Sequence, residues 1–248
     1  PLLLYENFPE LECGKYRTQI LANRELIHRR FAEAAKYGAL AAVWWNPMAP
    51  PLRGFPGYPY QERLEALCAA HPGMRALATG GQRYTLCPSN PATREFLKSG
   101  VREMVETFPE LRMMYFTLSD EGGEILCECD QCKRYPYLER AVDYARMVID
   151  TAHSVNPRVQ CVWEGPTGLL FAPVGHPEYA NNPLEGFKEM LRRAGIGKEF
   201  VAILNHATFP PCFDVRGWVA PDSTLLGQGI PLYLYFFYYE PWGLGVAS

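Results

Sequence analysis

Short apolar runs alternate along the chain with longer segments in which apolar residues recur every three or four positions. The short runs predict strands over residues 2–5, 40–45, 83–86, 113–118, 159–163, 201–204 and 232–238. The longer segments predict helices over 23–36, 90–108, 137–153 and 183–194. Start and stop residues sharpen two of these: Asn23 and Gly38 bracket the first helix, while Asn90-Pro91 opens the second and Pro109 follows its end. In the second helix Phe96, Val101, Met104, Val105 and Phe108 fall on one stripe, and in the third Leu138, Ala141, Tyr144, Ala145, Val148 and Ile149 do. Loops rich in Pro and Gly over 47–60, 165–176 and 209–217 separate the elements, and no internal repeat stands out.

Alternation of strand and helix from end to end is the pattern of an α/β protein with parallel strands, and its simplest closed form is a (β/α)8-type TIM barrel. The seven predicted strands are one short of that number, so the barrel is incomplete or irregular, or residues 74–78 supply a further strand. A length of 248 residues suits one domain with a substantial core, and residues 1–248 are read as a single barrel. In such barrels the working residues follow the carboxyl ends of the strands. The rule collects Glu6, then Trp44, Trp45 and Asn46, then Asp120 and Glu121, then Trp163 and Glu164, then Asn205 and His206, and finally Tyr239 and Glu240.

Composition narrows what such a cleft would hold. Hydrophobic residues make up 48% and charged ones 21%, the balance of a globular chain, and no run of about 18 uncharged apolar residues points to a membrane partner. A formal net charge of −3 gives no electrostatic reason to expect nucleic acid, whose binders carry a basic face. Aromatic residues reach 13%, and several of them sit at predicted strand ends, where their flat apolar faces suit sugar rings. Ordinary core packing is the competing explanation for any one of them. The expected partner is therefore an oligosaccharide or glycan substrate. Oligomeric state is not encoded in these patterns.

Asp120 and Glu121 are the candidate catalytic pair. Glycoside hydrolysis needs one carboxyl that stays protonated to donate to the leaving oxygen and a second group that stabilises or attacks the sugar carbon. Adjacent negative charge raises the pKa of one member of a pair and keeps it loaded as an acid. Gly122 and Gly123 permit the bend that would turn both side chains to one pocket. A solvated acidic turn is the bland alternative. Glu6, Glu164 and Glu240 are further candidates for substrate contact, and Asn205-His206 is a candidate sugar-binding pair. His28, His71, His153 and His176 fall on predicted helices or loops and read as surface residues.

Just behind the doublet, Cys127-x-Cys129-x-x-Cys132 sets three soft ligands at a spacing that wraps one tetrahedral ion. Cys87 is the candidate fourth ligand, because it ends the predicted strand before 113–118 and adjacent parallel strands would bring the two ends together. Four thiolates and no open position make such an ion a structural zinc. A disulfide or free thiols remain the alternatives, and Cys13, Cys68, Cys161 and Cys212 read as isolated residues. Reduced thiols fit a cytoplasmic setting, with export left open. A catalytic metal would need a vacant coordination position that four thiolates do not leave.

The segment Cys87-Pro88-Ser89-Asn90-Pro91, the helix with Arg94, Phe96 and Leu97, then Phe108-Pro109-Glu110-Leu111, Ser119-Asp120-Glu121 and Cys-x-Cys-x-x-Cys resembles part of a broad group of bacterial barrel glycosidases. That group is related to the family-20 hexosaminidases, the alpha-glucuronidases and certain endo-N-acetylglucosaminidases. The likeness covers about a fifth of the chain. It implies a TIM barrel and hydrolysis assisted by the substrate's own acetamido group, with Asp120 orienting that group and Glu121 as general acid. The glycine-rich lead-in usual in hexosaminidases is replaced here by Leu118-Ser119. A non-catalytic carbohydrate-binding barrel is the alternative function.

Overall fold

The computed structural model describes residues 2–45, 57–77, 86–117, 127–135, 137–164 and 200–203. Eight regular elements run in the order α1 (Arg17–Ala35), β1 (Ala42–Trp45), α2 (Tyr60–Ala70), α3 (Pro91–Thr107), β2 (Met113–Thr117), α4 (Tyr137–Val155), β3 (Gln160–Glu164) and β4 (Phe200–Ile203). The four strands pair in chain order and all in parallel. Parallel neighbours require a crossover, and α4 supplies the one from β2 to β3. Register aligns Trp45 with Phe116 and Phe116 with Trp163, and one position on aligns Thr117 with Glu164. Among the described residues no helix is long and apolar enough to cross a membrane.

The core lies between this sheet and the helices α3 and α4. All five residues of the predicted α3 stripe are buried, as are Tyr144, Ala145, Val148 and Ile149 of α4, against Met114, Phe116 and Cys161 of the sheet. Each large apolar side chain so buried contributes about 1.5–3 kcal/mol. Helix α3 starts where the sequence places it: the Asn90 side chain accepts hydrogen bonds from Ala92 N–H at 2.8 Å and Thr93 N–H at 3.3 Å, and Pro91 occupies the first turn.

Three sequence expectations are corrected. Residues 2–5 form no strand; Tyr5 has φ +48° and the chain passes into short 3-10 turns at Pro9–Leu11 and Cys13–Tyr16. The reason is a long-range contact: the Glu103 carboxylate of α3 accepts the Leu4 N–H at 2.6 Å and the Tyr5 N–H at 2.9 Å, so these donors need no strand partner. Helix α1 begins at Arg17 rather than Asn23, and α2 fills a stretch in which no helix is expected. Of the expected strand 83–86, only Leu86 is described, and it makes an isolated antiparallel bridge with Arg75.

Glu103 also pairs with Arg24 of α1, whose Nε donates to the Leu2 carbonyl at 2.8 Å. One carboxylate thus ties the N-terminal segment and two helices together. Glu103→Gln, which keeps the shape but loses the charge-assisted bonds, lowers stability by about 2–3 kcal/mol, read from the midpoint of urea unfolding.

Tyr5 stacks on Phe96 with ring centroids 4.7 Å apart, and its hydroxyl is buried with no hydrogen-bond partner among the described residues. Burial, with Glu103 and Cys13 nearby, holds its pKa well above the ordinary tyrosine value. The close approach depends on Gly100, where a Cβ would sit 2.6 Å from the Tyr5 hydroxyl oxygen and 3.0 Å from two ring atoms. Gly100→Ala gains roughly 0.5–1 kcal/mol in helix propensity but costs about 1–3 kcal/mol in overpacking, because the stacked ring has nowhere to go. Net destabilisation is the expected result. Tyr5→Phe removes an unpartnered buried hydroxyl and relieves part of the clash, so adding it to Gly100→Ala recovers part of the lost stability in a double-mutant cycle.

Candidate metal centre

Three short segments meet to form the site. Residues 74–77 run between the Leu86-Cys87 segment on one side and Cys127-Glu128 on the other. Cys87 N–H donates to the Met74 carbonyl at 2.7 Å, Arg75 bridges Leu86, and Glu128 N–H donates to the Leu77 carbonyl at 2.5 Å. Sequence reasoning names this stretch as a candidate strand, and its role is to bring the two cysteine segments together. Cys87 then turns through Pro88-Ser89 into the cap of α3, with Asn90 N–H donating to the Cys87 carbonyl at 3.1 Å. From Cys129 the chain coils tightly: Lys133 N–H reaches the Cys129 carbonyl at 2.9 Å, and a 3-10 turn covers Cys132–Arg134.

The outcome is that the Sγ atoms of Cys87, Cys127, Cys129 and Cys132 all lie within 4.8 Å of one another, and all four are free thiols. Cys87 Sγ stands 3.7 Å from both Cys129 Sγ and Cys132 Sγ. A tetrahedral ion with metal–sulfur bonds of about 2.3 Å sets its sulfurs roughly 3.8 Å apart, so these spacings match a metal-sized gap, against about 2.05 Å for a disulfide. The four residues could therefore bind a metal ion. Cys87, Cys127 and Cys132 are buried and Cys129 is half-buried, in a small apolar cluster completed by Ala76.

Surrounding donors are aimed at the sulfurs. Leu77 N–H lies 3.3 Å from Cys127 Sγ, Cys132 N–H 3.4 Å from Cys129 Sγ, and the Ser89 hydroxyl 3.0 Å from Cys132 Sγ. Arg140 of α4 donates to the Cys127 carbonyl at 3.0 Å, which holds the loop to the helix that follows. Such second-layer bonds orient ligands and offset thiolate charge. Ser89 and Arg140 are the functional residues that the sequence reading missed. Ser89 stands two positions after Cys87 in the chain, and that nearness is the available signal.

Electrostatics sharpen the case for a cation. Burial pushes the Cys87 thiol up, with Cys127 adding to the effect. Burial also raises Cys127, against the Cys129 and Leu77 N–H groups. Burial acts the same way on Cys129, but hydrogen bonds from the Cys132 N–H and the three neighbouring thiols outweigh it and bring that group down to about 7. Protein groups alone thus favour the ionised form at Cys129, while burial opposes it at Cys87 and Cys127. Four thiolates together need a positive ion between them.

The other expected site residues divide by position. Asn46, Asp120, Glu121, Asn205, His206, Tyr239 and Glu240 lie outside the described residues. Trp44 and Trp45 end β1, and Trp163 and Glu164 end β3. The strand register aligns Trp44 with Tyr115 and, two positions further toward the carboxyl ends of the strands, Thr117 with Glu164. Glu6 is different: no strand precedes it, and its exposed carboxylate pairs with Arg17 at 2.8 Å. The premise that made Glu6 a strand-end candidate is therefore withdrawn. Cys87 does join the cluster, but through the antiparallel bridge and residues 74–77 rather than through adjacent parallel strands. Compared with known proteins, the chain matches no family model and no curated protein.

Proposed function

We propose that this protein is a glycoside hydrolase on a (β/α)8-type barrel, with Glu121 as general acid and Asp120 as its orienting or stabilising partner. In this reading a structural zinc ion is held by Cys87, Cys127, Cys129 and Cys132. The observation that carries the reading is the thiol centre, because it anchors one end of the segment 118–126 while β2 anchors the other. A carboxylate doublet on a doubly tethered segment loses less conformational entropy on reaching a reactive geometry. The sequential parallel order of the four strands is the order that successive strands take round a (β/α)8 barrel, and it supports that fold.

Zinc is favoured by the donor set. Four thiolates in tetrahedral array make a closed structural site, which takes no part in the chemistry at the sugar. Iron accepts the same set but colours the protein, so a colourless preparation with bound zinc is the expected finding. At the substrate, Glu121 donates its proton to the departing glycosidic oxygen. Asp120 holds the 2-acetamido group where the sugar carries one, or steadies the positive charge that develops at the sugar carbon. The substrate class is a β-linked or uronic-acid-containing glycan.

Two measurements on the full chain test the reading. Elemental analysis of protein purified in the presence of a dithiol should give about one zinc per chain. A panel of aryl β-glycosides, including the N-acetylglucosaminide and the glucuronide, should show turnover. Retention on immobilised glycan with no turnover of any member would instead identify a binding barrel.

A further inference from the structure

We infer that Cys129 is an oxidant-reactive modification site, and that its oxidation, completed by Cys87, opens the metal clasp. The inference rests on the metal-centre reading above and adds a regulation to it. Three observations carry it. Cys129 is half-buried, whereas Cys87, Cys127 and Cys132 are only 3%, 2% and 0% exposed, so a small oxidant in solvent meets Cys129 first. The Cys87 sulfur stands 3.7 Å away, poised to capture an oxidised neighbour. Cys132 is fully enclosed and its sulfur meets the Ser89 hydroxyl, whereas Cys87 takes from outside the cluster a backbone N–H, that of Ser89, as Cys127 takes that of Leu77.

The reaction requires a hydroperoxide as two-electron oxidant. The Cys129 thiolate attacks one peroxide oxygen, the O–O bond breaks, and the leaving oxygen departs as water after taking a proton; Cys129 becomes a sulfenic acid. The Cys87 thiolate then attacks the Cys129 sulfur, forms the S–S bond and displaces hydroxide, which leaves as a second water with a second proton. Two thiolates have lost two electrons and one hydrogen peroxide has become two waters. Closing the bond brings the sulfurs from 3.7 Å to about 2.05 Å. A disulfide is no ligand for the ion, and the two remaining thiolates do not hold it. A dithiol and fresh zinc reverse the change.

The test uses wild-type full-length protein, reduced and loaded with zinc, titrated with hydrogen peroxide. Released zinc is followed with a chromogenic chelator, and disulfides are mapped by mass spectrometry of peptides generated without reduction. The expected result is one equivalent of zinc released for each Cys87–Cys129 crosslink, with re-uptake after addition of a dithiol. Zinc that stays bound through a large excess of peroxide overturns this inference and leaves the metal centre standing. Release accompanied by any crosslink other than Cys87–Cys129 also overturns it. Reduced protein that takes up no zinc overturns the metal-centre reading, and this inference with it.

Discussion

With the proposed structural metal in place, a strong chelator under reducing conditions is expected to lower the thermal midpoint by roughly 8–16 °C. The size follows from linkage: an ion present at about a thousand times its dissociation constant stabilises by roughly 4 kcal/mol, and in a chain of this length each kcal/mol moves the midpoint by about 2–4 °C. The structural reason is that only short backbone ladders hold 74–77, 86–87 and 127–128 together, so four buried or half-buried sulfurs carry much of that contact. Cys132→Ser reproduces the shift without chelator, because a hydroxyl is a poor substitute ligand and its partner Ser89 loses the sulfur it approaches. Chelator then has no further effect on the variant. Acid acts in the same direction: Cys87 and Cys127 are raised above the ordinary thiol pKa, so protons compete for the ligands and metal affinity falls as the pH is lowered from 8 to 6. Circular dichroism melts with and without chelator measure the shift, and a chelator-insensitive midpoint would refute a structural metal.

What the sequence made legible follows its physics. Helices α3 and α4 could be read because their burial is one-sided and periodic, and α3 also carries an explicit cap at Asn90. Helix α1 could not be bounded: it has no side-chain cap at Tyr16, buries only Ile20, and places Asn23 inside its second turn, where Asn23 Oδ1 accepts from Gln19 at 3.1 Å. Helix α2 starts after Pro59 with no side-chain cap and buries just Leu64 and Leu67, too little for periodicity to stand out against the Pro-rich stretch before it. Residues 2–5 show the limit of reading apolar runs. Leu2, Leu3 and Leu4 resemble a buried strand, yet the Leu4 and Tyr5 N–H groups are taken by a carboxylate about a hundred positions away, which no local pattern announces.

The four cysteines do come together as the sequence reading expects, but by a different route. The spacing of Cys127, Cys129 and Cys132 is local and therefore visible in the sequence. Cys87 was matched to them by assuming parallel neighbours, whereas the joining element is residues 74–77, whose hydrogen bonds reach both sides. Any pairing of two strand ends brought into one place would have passed the same sequence test. Ser89 and Leu77, which approach the sulfurs, and Arg140, which donates to the Cys127 carbonyl, belong to three segments that only folding assembles.

On the proposed glycosidase reading, Glu121→Gln is expected to lower kcat on unactivated glycosides by about 10²–10⁴, the usual worth of a positioned general acid, or roughly 3–5.5 kcal/mol of barrier. The amide keeps the size of the side chain and its capacity to accept and donate hydrogen bonds, so KM changes little; what disappears is the transferable proton. Two signatures separate this from a general loss of structure. With a dinitrophenyl leaving group, which departs without protonation, the variant recovers most of its rate. The fall of wild-type activity at alkaline pH, where the acid is already ionised, vanishes in the variant. Asp120→Asn behaves differently: it leaves the alkaline limb in place, and its loss is largest on substrates that carry a 2-acetamido group, where orientation of the internal nucleophile is at stake. Zinc content and thermal midpoint, measured on the same samples, report whether the thiol centre is intact. Activity on unactivated substrates that survives Glu121→Gln with both controls unchanged would remove the general acid from this position, and with it the link between the clasped segment and the chemistry.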